Sequence, residues 1–245
     1  LYQARGGTAR HDAVAWGYAR AAYDLGVDII ENCEVIDFKY NKKHILGVAT
    51  NKGVVSSKSV LVSVAGGTSF LAAKAKLRLP LESYPIQAFV SEPLKPVINT
   101  MVNFNMDLAY INQSDKGELV MGGGIEPRIG YRTLGGFDRI EDVVSRMVAI
   151  FPFLSRVRLL RTWAGIADIP MDGSPLLGET SLKGLFFNCG WGYSGFKATP
   201  AAGWILADTI ANERPHSLLE PFSFSRFREG NTHDEAGVGP APYRH

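Results

Sequence analysis

Phe186-Phe187-Asn188-Cys189-Gly190-Trp191-Gly192-Tyr193-Ser194-Gly195-Phe196-Lys197-Ala198-Thr199-Pro200 joins a short apolar run to a stretch that reads as helix from about Thr199 to Asn212. Gly190, Gly192 and Gly195 make the junction unusually bare of side chains. A strand that ends in Cβ-free residues just before a helix N-terminus lets a ligand approach backbone N–H groups and the positive end of the helix dipole. The same glycines equally suit a tight turn that needs positive φ, so the residues alone leave both readings open. Lys197 at the mouth of the turn can pair with a substrate carboxylate or simply stand in solvent. Pro200 is expected in a tolerated first-turn position of the helix.

Outward from this turn, Gly184 to Cys189 reads as a buried strand, Asp172-Gly173-Ser174-Pro175 as a turn, and Arg156 to Ala167 as a longer strand. Gly136 to Phe151 carries Phe137, Ile140, Val144, Met147 and Phe151 on one helical stripe, stopped at Pro152. Between Pro80 and that helix the texture is alternating: Tyr84 to Ser91, Thr100 to Phe104, and a hairpin of Leu108 to Asn112 and Glu118 to Gly123 turned at Ser114 to Gly117. This stretch is expected to be an antiparallel insert.

At the other end, Asp12 is read as the N-cap of a helix to Leu25, with Val14, Tyr18, Ala22 and Leu25 on one face and Gly26 as its stop. Val27 to Ile30 and Glu34 to Tyr40 then read as strands, Asn41 to His44 as a turn, and Ile45 to Asn51 with Val54 to Ser57 as a hairpin. Ser59 to Ala65 is a β-branched strand that meets Gly66-Gly67 before another helix, which is where open α/β sheets hold ligands. The chain thus divides into residues 1–78, an inserted domain over 79–160, a return over 161–213, and a tail over 214–245 that suits either a docking arm or a loose end.

The totals narrow the chemistry. With 245 residues, 46% of them hydrophobic, and 26 basic against 24 acidic side chains, the chain has an ordinary globular composition and no charge block for nucleic acid or a membrane surface. Cys33 and Cys189 have no neighbours at metal-ligand spacing, so no metal site is expected. No signal-like segment and no run of roughly 18 apolar residues occurs, and a cytoplasmic location is expected. Gly122-Gly123-Gly124 lacks the spacing, the following helix and the acidic residue of a dinucleotide fingerprint. No Ser/His/Asp or Cys/His grouping assembles, since Cys189 lies in an apolar strand. His44, His216, His233 and His245 read as solvent-facing. His11, beside Arg10 and a helix start, sits where positive potential disfavours imidazolium and keeps a ring nitrogen nucleophilic, although an ordinary loop histidine is the simpler reading.

Three segments resemble the D-amino-acid-oxidase-like FAD oxidoreductases: His11 to Val35, Arg161-Thr162-Trp163-Ala164-Gly165 with Asp172-Gly173-Ser174-Pro175-Leu176-Leu177-Gly178, and Asn188 to Pro200. Within that family, Gly7-Thr8-Ala9-Arg10-His11-Asp12-Ala13-Val14-Ala15-Trp16, Val27 to Ile30, Asn32 to Val35, and Lys116-Gly117-Glu118-Leu119-Val120 are similar to the beta subunits of heterotetrameric sarcosine oxidases. The resemblance implies an α/β fold: a Rossmann-like FAD-binding domain, whose first βαβ unit is not in this chain, with an antiparallel α+β substrate domain inserted. The chain, which begins at Leu1, is accordingly expected to be the later part of a longer protein.

The resemblance also implies the chemistry. Noncovalent FAD accepts a hydride from the N-methyl group of sarcosine. Electrons pass on to FMN and then to oxygen, giving hydrogen peroxide, and the one-carbon unit leaves as formaldehyde or is captured by tetrahydrofolate on the alpha subunit. His11 matches the histidine that carries FMN covalently, with Arg10 and Arg161 as further FMN contacts. Val35 matches a position facing the FAD adenine; Gly192, Gly195 and Lys197 match the FAD-binding turn, and Lys197 also matches a lysine that binds the substrate carboxylate. Tyr193-Ser194 departs from the small residues common at this turn. Implied partners are alpha, gamma and delta subunits. The alternatives are a sister enzyme acting on dimethylglycine, glycine or proline without covalent FMN, or a scaffold subunit without catalysis.

Overall fold

In the computed structural model the described residues are 2–104, 109–192 and 195–233. Helix α1 (His11–Asp24) opens the chain, followed by an antiparallel three-stranded sheet of β1 (Val35–Tyr40), β2 (Ile45–Thr50) and β3 (Gly53–Ser56). Asn41 shapes the first of its turns, its side-chain oxygen accepting from the N–H groups of Lys43 and His44 at 2.8 Å each. Strand β4 (Val60–Val62) and helix α2 (Thr68–Lys74) lead into the longest strand, β5 (Leu81–Pro93). A five-stranded antiparallel sheet follows, in the order β6 (Val102–Phe104), β7 (Ala109–Gln113), β8 (Glu118–Ile125), β5, β9 (Leu159–Pro170). Helix α3 (Phe137–Ile150) crosses between β8 and β9. The chain then returns through β10 (Leu176–Glu179) and β11 (Leu185–Cys189), and β11 lies parallel to β4. Helix α4 (Gly195–Ala211) and the short α5 (Arg226–Glu229) finish the described chain.

Two apolar cores reflect this division. Phe38, Ile45, Val62, Ala72, Leu185 and Phe187 bring the first sheet, β4, β11 and α2 together. Phe89, Ile111, Leu119, Met121, Val143 and Met147 bury one face of α3 on the five-stranded sheet. The α3 stripe is as expected except at its start: Phe137 is 88% exposed, because the first helical residue lies beyond the edge of the sheet. Gln87, buried in β5, ties the approach to α3 in place, donating to Thr162 Oγ1 at 2.8 Å and accepting from the Gly136 N–H at 3.0 Å.

Several local expectations are corrected. Asp12 is not the N-cap of α1; Arg10 holds that position and His11 is the first helical residue, with no side chain capping the helix. The stop is as expected: Gly26 at φ +88° donates to the Tyr23 carbonyl and Val27 to that of Ala22, a Schellman closure. The expected apolar face of α1 is uncovered among the described residues, which bury no α1 residue and leave Leu25 86% exposed. Val27 to Ile30 forms no strand, since no described segment pairs with it. Helix α4 begins at Gly195 rather than near Thr199, so Pro200 lies inside the helix and Lys197 in its first turn. The tail docks as far as residue 233, with Leu219 and Arg226 buried; His245 and residues 234–244 lie outside the described part, as do Leu108 and the Tyr193-Ser194 pair.

Docking of that arm rests on one buried ion pair. The Arg226 guanidinium donates to both Asp172 oxygens at 2.7 and 2.8 Å and to the Ser174 carbonyl at 2.8 Å, with the two side chains 1% and 5% exposed. Burial works against the Asp172 charge, but Arg226 and the N–H groups of His233 and Ser174 outweigh it and hold the carboxyl below its ordinary range. No helix among the described residues is long and apolar enough to cross a membrane.

Candidate functional site

The expected site residues fall into two groups. The first surrounds the glycine-rich turn between β11 and α4. Gly190 (φ +73°) and Gly192 (φ +51°) both occupy left-handed backbone, in line with the tight-turn reading of the sequence. A Cβ at Gly190 would fall 2.5 Å from Pro170 Cγ, whereas one at Gly192 would meet nothing within 4 Å. Gly190 is therefore glycine for packing, and Gly192 leaves open space beside bare backbone. Gly195 is confined, since its Cβ would lie 2.8 Å from that of Trp191. Trp191 is itself fixed by its indole N–H, which donates to Asn188 Oδ1 at 2.7 Å. Lys197 stands exposed in the first turn of α4, with Phe196 half exposed beside it.

Not every N–H of the turn faces outward. That of Gly192 donates to the Asp168 carbonyl at 3.1 Å. Asp168 was not foreseen as a site residue, yet its buried carboxylate also accepts from the Gly66 N–H at 3.1 Å and the Ser83 hydroxyl at 2.7 Å. The glycine pair after β4 and the glycine turn after β11 are thus neighbours, brought together because β4 and β11 run parallel and end on the same side. An acid in the apolar run Ala164-Gly165-Ile166-Ala167-Asp168-Ile169-Pro170 was the available signal, since such a group must find buried donors. Burial pushes the Cys189 thiol well up, and the Asp168 charge adds to the effect, so this sulfur is an inert packing group.

The second group lies around the start of α1. His11 and Arg10 are both exposed, and the Arg10 guanidinium bonds the Asp12 carboxylate at 2.8 Å. That hydrogen bond raises Arg10 and lowers Asp12 from their ordinary values; Asp115, in the turn between β7 and β8, adds to the effect on Arg10. Across the same turn, Ser114 bonds the Glu118 carboxylate and lowers it, with Lys116 and Arg161 contributing. Arg161, on β9, lies 5.9 Å from the centre of the Trp163 ring. Arg10 and Arg161 therefore act on acids of one turn, and His11 is next to Arg10. Val35, the first residue of β1 and paired with Thr50, is half-buried on the three-stranded sheet.

The two groups differ in chemistry, the first being bare backbone beside a helix start and the second a set of exposed side chains. Open space at Gly192 and the first turn of α4 fit a polar ring system or carboxylate laid against backbone. The exposed His11 imidazole and the Arg10 guanidinium next to it in the chain offer a nucleophile and a donor to an anionic, electron-poor group. Among the described residues no cluster of three or more His, Cys, Asp or Glu could hold a metal.

The family model described as FAD dependent oxidoreductase matches residues 1–209. The sarcosine oxidase beta subunit of Arthrobacter sp is 47% identical over 237 residues, which are 97% of this chain and 58% of that protein. The one from Rhizobium meliloti (strain 1021) is 46% identical over 245 residues, covering the whole chain and 59% of its relative. The chain thus spans under two thirds of the length of these curated relatives. Among solved structures, L-proline dehydrogenase from P.horikoshii superposes with a TM-score of 0.79 at 29% identity, covering 89% of this chain and 59% of that one. Glycine oxidase from Geobacillus kaustophilus superposes with a TM-score of 0.76 at 22% identity, over 87% of this chain and 57% of that one, a likeness of fold. The parallel β4–β11 pair, the antiparallel sheet inserted between them and this match together place the chain in the family of FAD-dependent oxidoreductases.

Proposed function

We propose that the protein to which this chain belongs is the beta subunit of a sarcosine oxidase, oxidising sarcosine to glycine. The observation that carries the reading is the 47% identity over 97% of the chain to a protein of that name. It is supported by the glycine turn at Gly190 to Gly195, which keeps open backbone at the mouth of α4. When bound, FAD would supply the two-electron acceptor, and FMN the outlet toward oxygen with release of peroxide.

This chain's part is binding and orientation. Gly192 and Gly195 would lie against FAD, with Val35 toward its adenine. Lys197, on the first turn of α4, would draw the substrate carboxylate to the same positive helix end and so fix which face of the substrate meets the flavin. His11 would anchor FMN covalently, its neighbour Arg10 and Arg161 meeting the negative charge of that group. We propose that the FMN site is completed by a partner chain and assign that role to an alpha subunit, with gamma and delta subunits completing a heterotetramer. Whether the one-carbon unit leaves as formaldehyde or passes to tetrahydrofolate depends on that partner. In domain terms, we assign residues 1–78 and 161–213 to the flavin-binding domain, 79–160 to the substrate domain, and 214–245 to a tail. The location we propose is cytoplasmic.

A second reading, a dehydrogenase of proline or a related secondary amine, is favoured by the 0.79 TM-score of the proline dehydrogenase structure. Anaerobic addition of substrate to the full-length purified complex separates the two. Sarcosine is expected to bleach the visible flavin band well before proline or dimethylglycine does; faster bleaching by proline would transfer the assignment to the second reading, and no bleaching by any amine would remove both.

A further inference from the structure

Alternate residues of a strand share a face, and on β9 three of them serve the two glycine turns. Ile166 backs the first: a Cβ at Gly66, where φ is +72°, would fall 2.7 Å from Ile166 Cβ. Pro170 backs the second, at 2.5 Å from a Cβ at Gly190. Asp168, between them and 4% exposed, holds both, its carboxylate accepting from Gly66 N–H and its carbonyl from Gly192 N–H. The other carboxylate oxygen accepts from Ser83 near the start of β5. Both oxygens accept, as those of an anion do, and both donors are neutral; among the described residues no ion pair to Asp168 is formed.

We propose that Asp168 is a positioning residue for FAD: it sets the spacing of the two glycine turns and places behind them a negative charge that has no ion-pair partner among the described residues. The inference rests on the flavin reading above and adds to it a residue that touches neither flavin nor substrate. The spacing follows from rigidity. Gly66 and Gly192 have no side chains of their own to hold the turns apart, and each is pinned at its N–H to the same residue of a twelve-residue strand paired with β5 along most of its length. The electrostatic consequence has a definite sign. A buried negative charge near a flavin opposes the arrival of electrons, so removing it makes the flavin easier to reduce.

Two substitutions in the full-length holoenzyme separate geometry from charge. In Asp168→Asn, the amide oxygen can still accept from Gly66 and the amide nitrogen can donate to Ser83 Oγ, so the turns stay in place while the charge goes. The dissociable FAD should remain bound and its midpoint potential, read by spectroelectrochemical titration, should rise. In Asp168→Ala the side-chain ties go as well, and FAD should dissociate at least about tenfold more readily, as expected for losing hydrogen bonds to a charged acceptor. Asp168→Asn with the wild-type potential, or Asp168→Ala with the wild-type FAD affinity, would overturn the inference while leaving the flavin reading intact. A wild-type complex that holds no FAD would overturn both.

Discussion

At the scale of single residues, the strongest statement concerns Asp172 and Arg226, because both are buried and each satisfies the other. Removing one partner leaves a buried charge without compensation, so Arg226→Met should destabilise the full-length protein by roughly 3–5 kcal/mol in urea unfolding. Asp172→Asn should cost a similar amount, since it leaves the Arg226 charge buried and sets an amide N–H against one of the guanidinium donors. The pair also gives the stability a pH dependence. The folded carboxyl of Asp172 lies below its ordinary value, so the unfolded chain takes up its proton first as pH falls. The stabilisation is complete above the unfolded value of about 4 and drains away as pH falls from there through the folded value. Urea midpoints measured at neutral pH and near pH ~3 should therefore converge between wild type and Asp172→Asn at the acid end; a gap that widened in acid would refute the assignment. His11 is testable on its own: His11→Ala should yield a complex whose FMN is lost on acid precipitation, and covalent FMN persisting in that variant would move the anchor elsewhere.

At the scale of elements, the glycine turn was legible because glycine spacing after an apolar run constrains the backbone directly. The structure divides its three glycines by duty. Gly190→Ala would drive a Cβ into Pro170 and leave alanine in left-handed backbone, and a loss of about 2–4 kcal/mol is expected in thermal or urea melts. Gly192→Ala keeps only the backbone penalty, near 1 kcal/mol, because its Cβ enters open space; its expected effect is on FAD affinity instead. Equal destabilisation by the two substitutions would contradict the division. The antiparallel insert was equally readable, since its strands alternate and its hairpin turn at Ser114 to Gly117 is polar. What escaped were features decided by distant partners. Val27 to Ile30 has strand composition but no described strand to pair with, and the apolar stripe of α1 has nothing described to cover it. Asp168, one residue past the strand read over Arg156 to Ala167, carried no expectation, because its donors lie 102 and 85 residues away in the chain.

For the whole molecule, we propose two flavin sites of different character. One lies at the ends of the parallel pair β4 and β11, where glycine turns meet a helix start. The other lies at the exposed start of α1, with His11 and Arg10, and Asp115 of the β7–β8 turn acts on the Arg10 charge. The first site was visible in the residues as a place for some ligand; only the family resemblance made it flavin. At the second, physical reading made His11 a possible nucleophile no better than an ordinary loop histidine, since an exposed histidine beside an arginine is common, and its proposed role rests on the family resemblance. Acid precipitation of the full-length complex, followed by spectra of supernatant and pellet, tests both together. The account predicts one flavin released to solution as FAD and a second retained in the pellet as FMN attached at His11; a complex that yields no flavin in either fraction would contradict it.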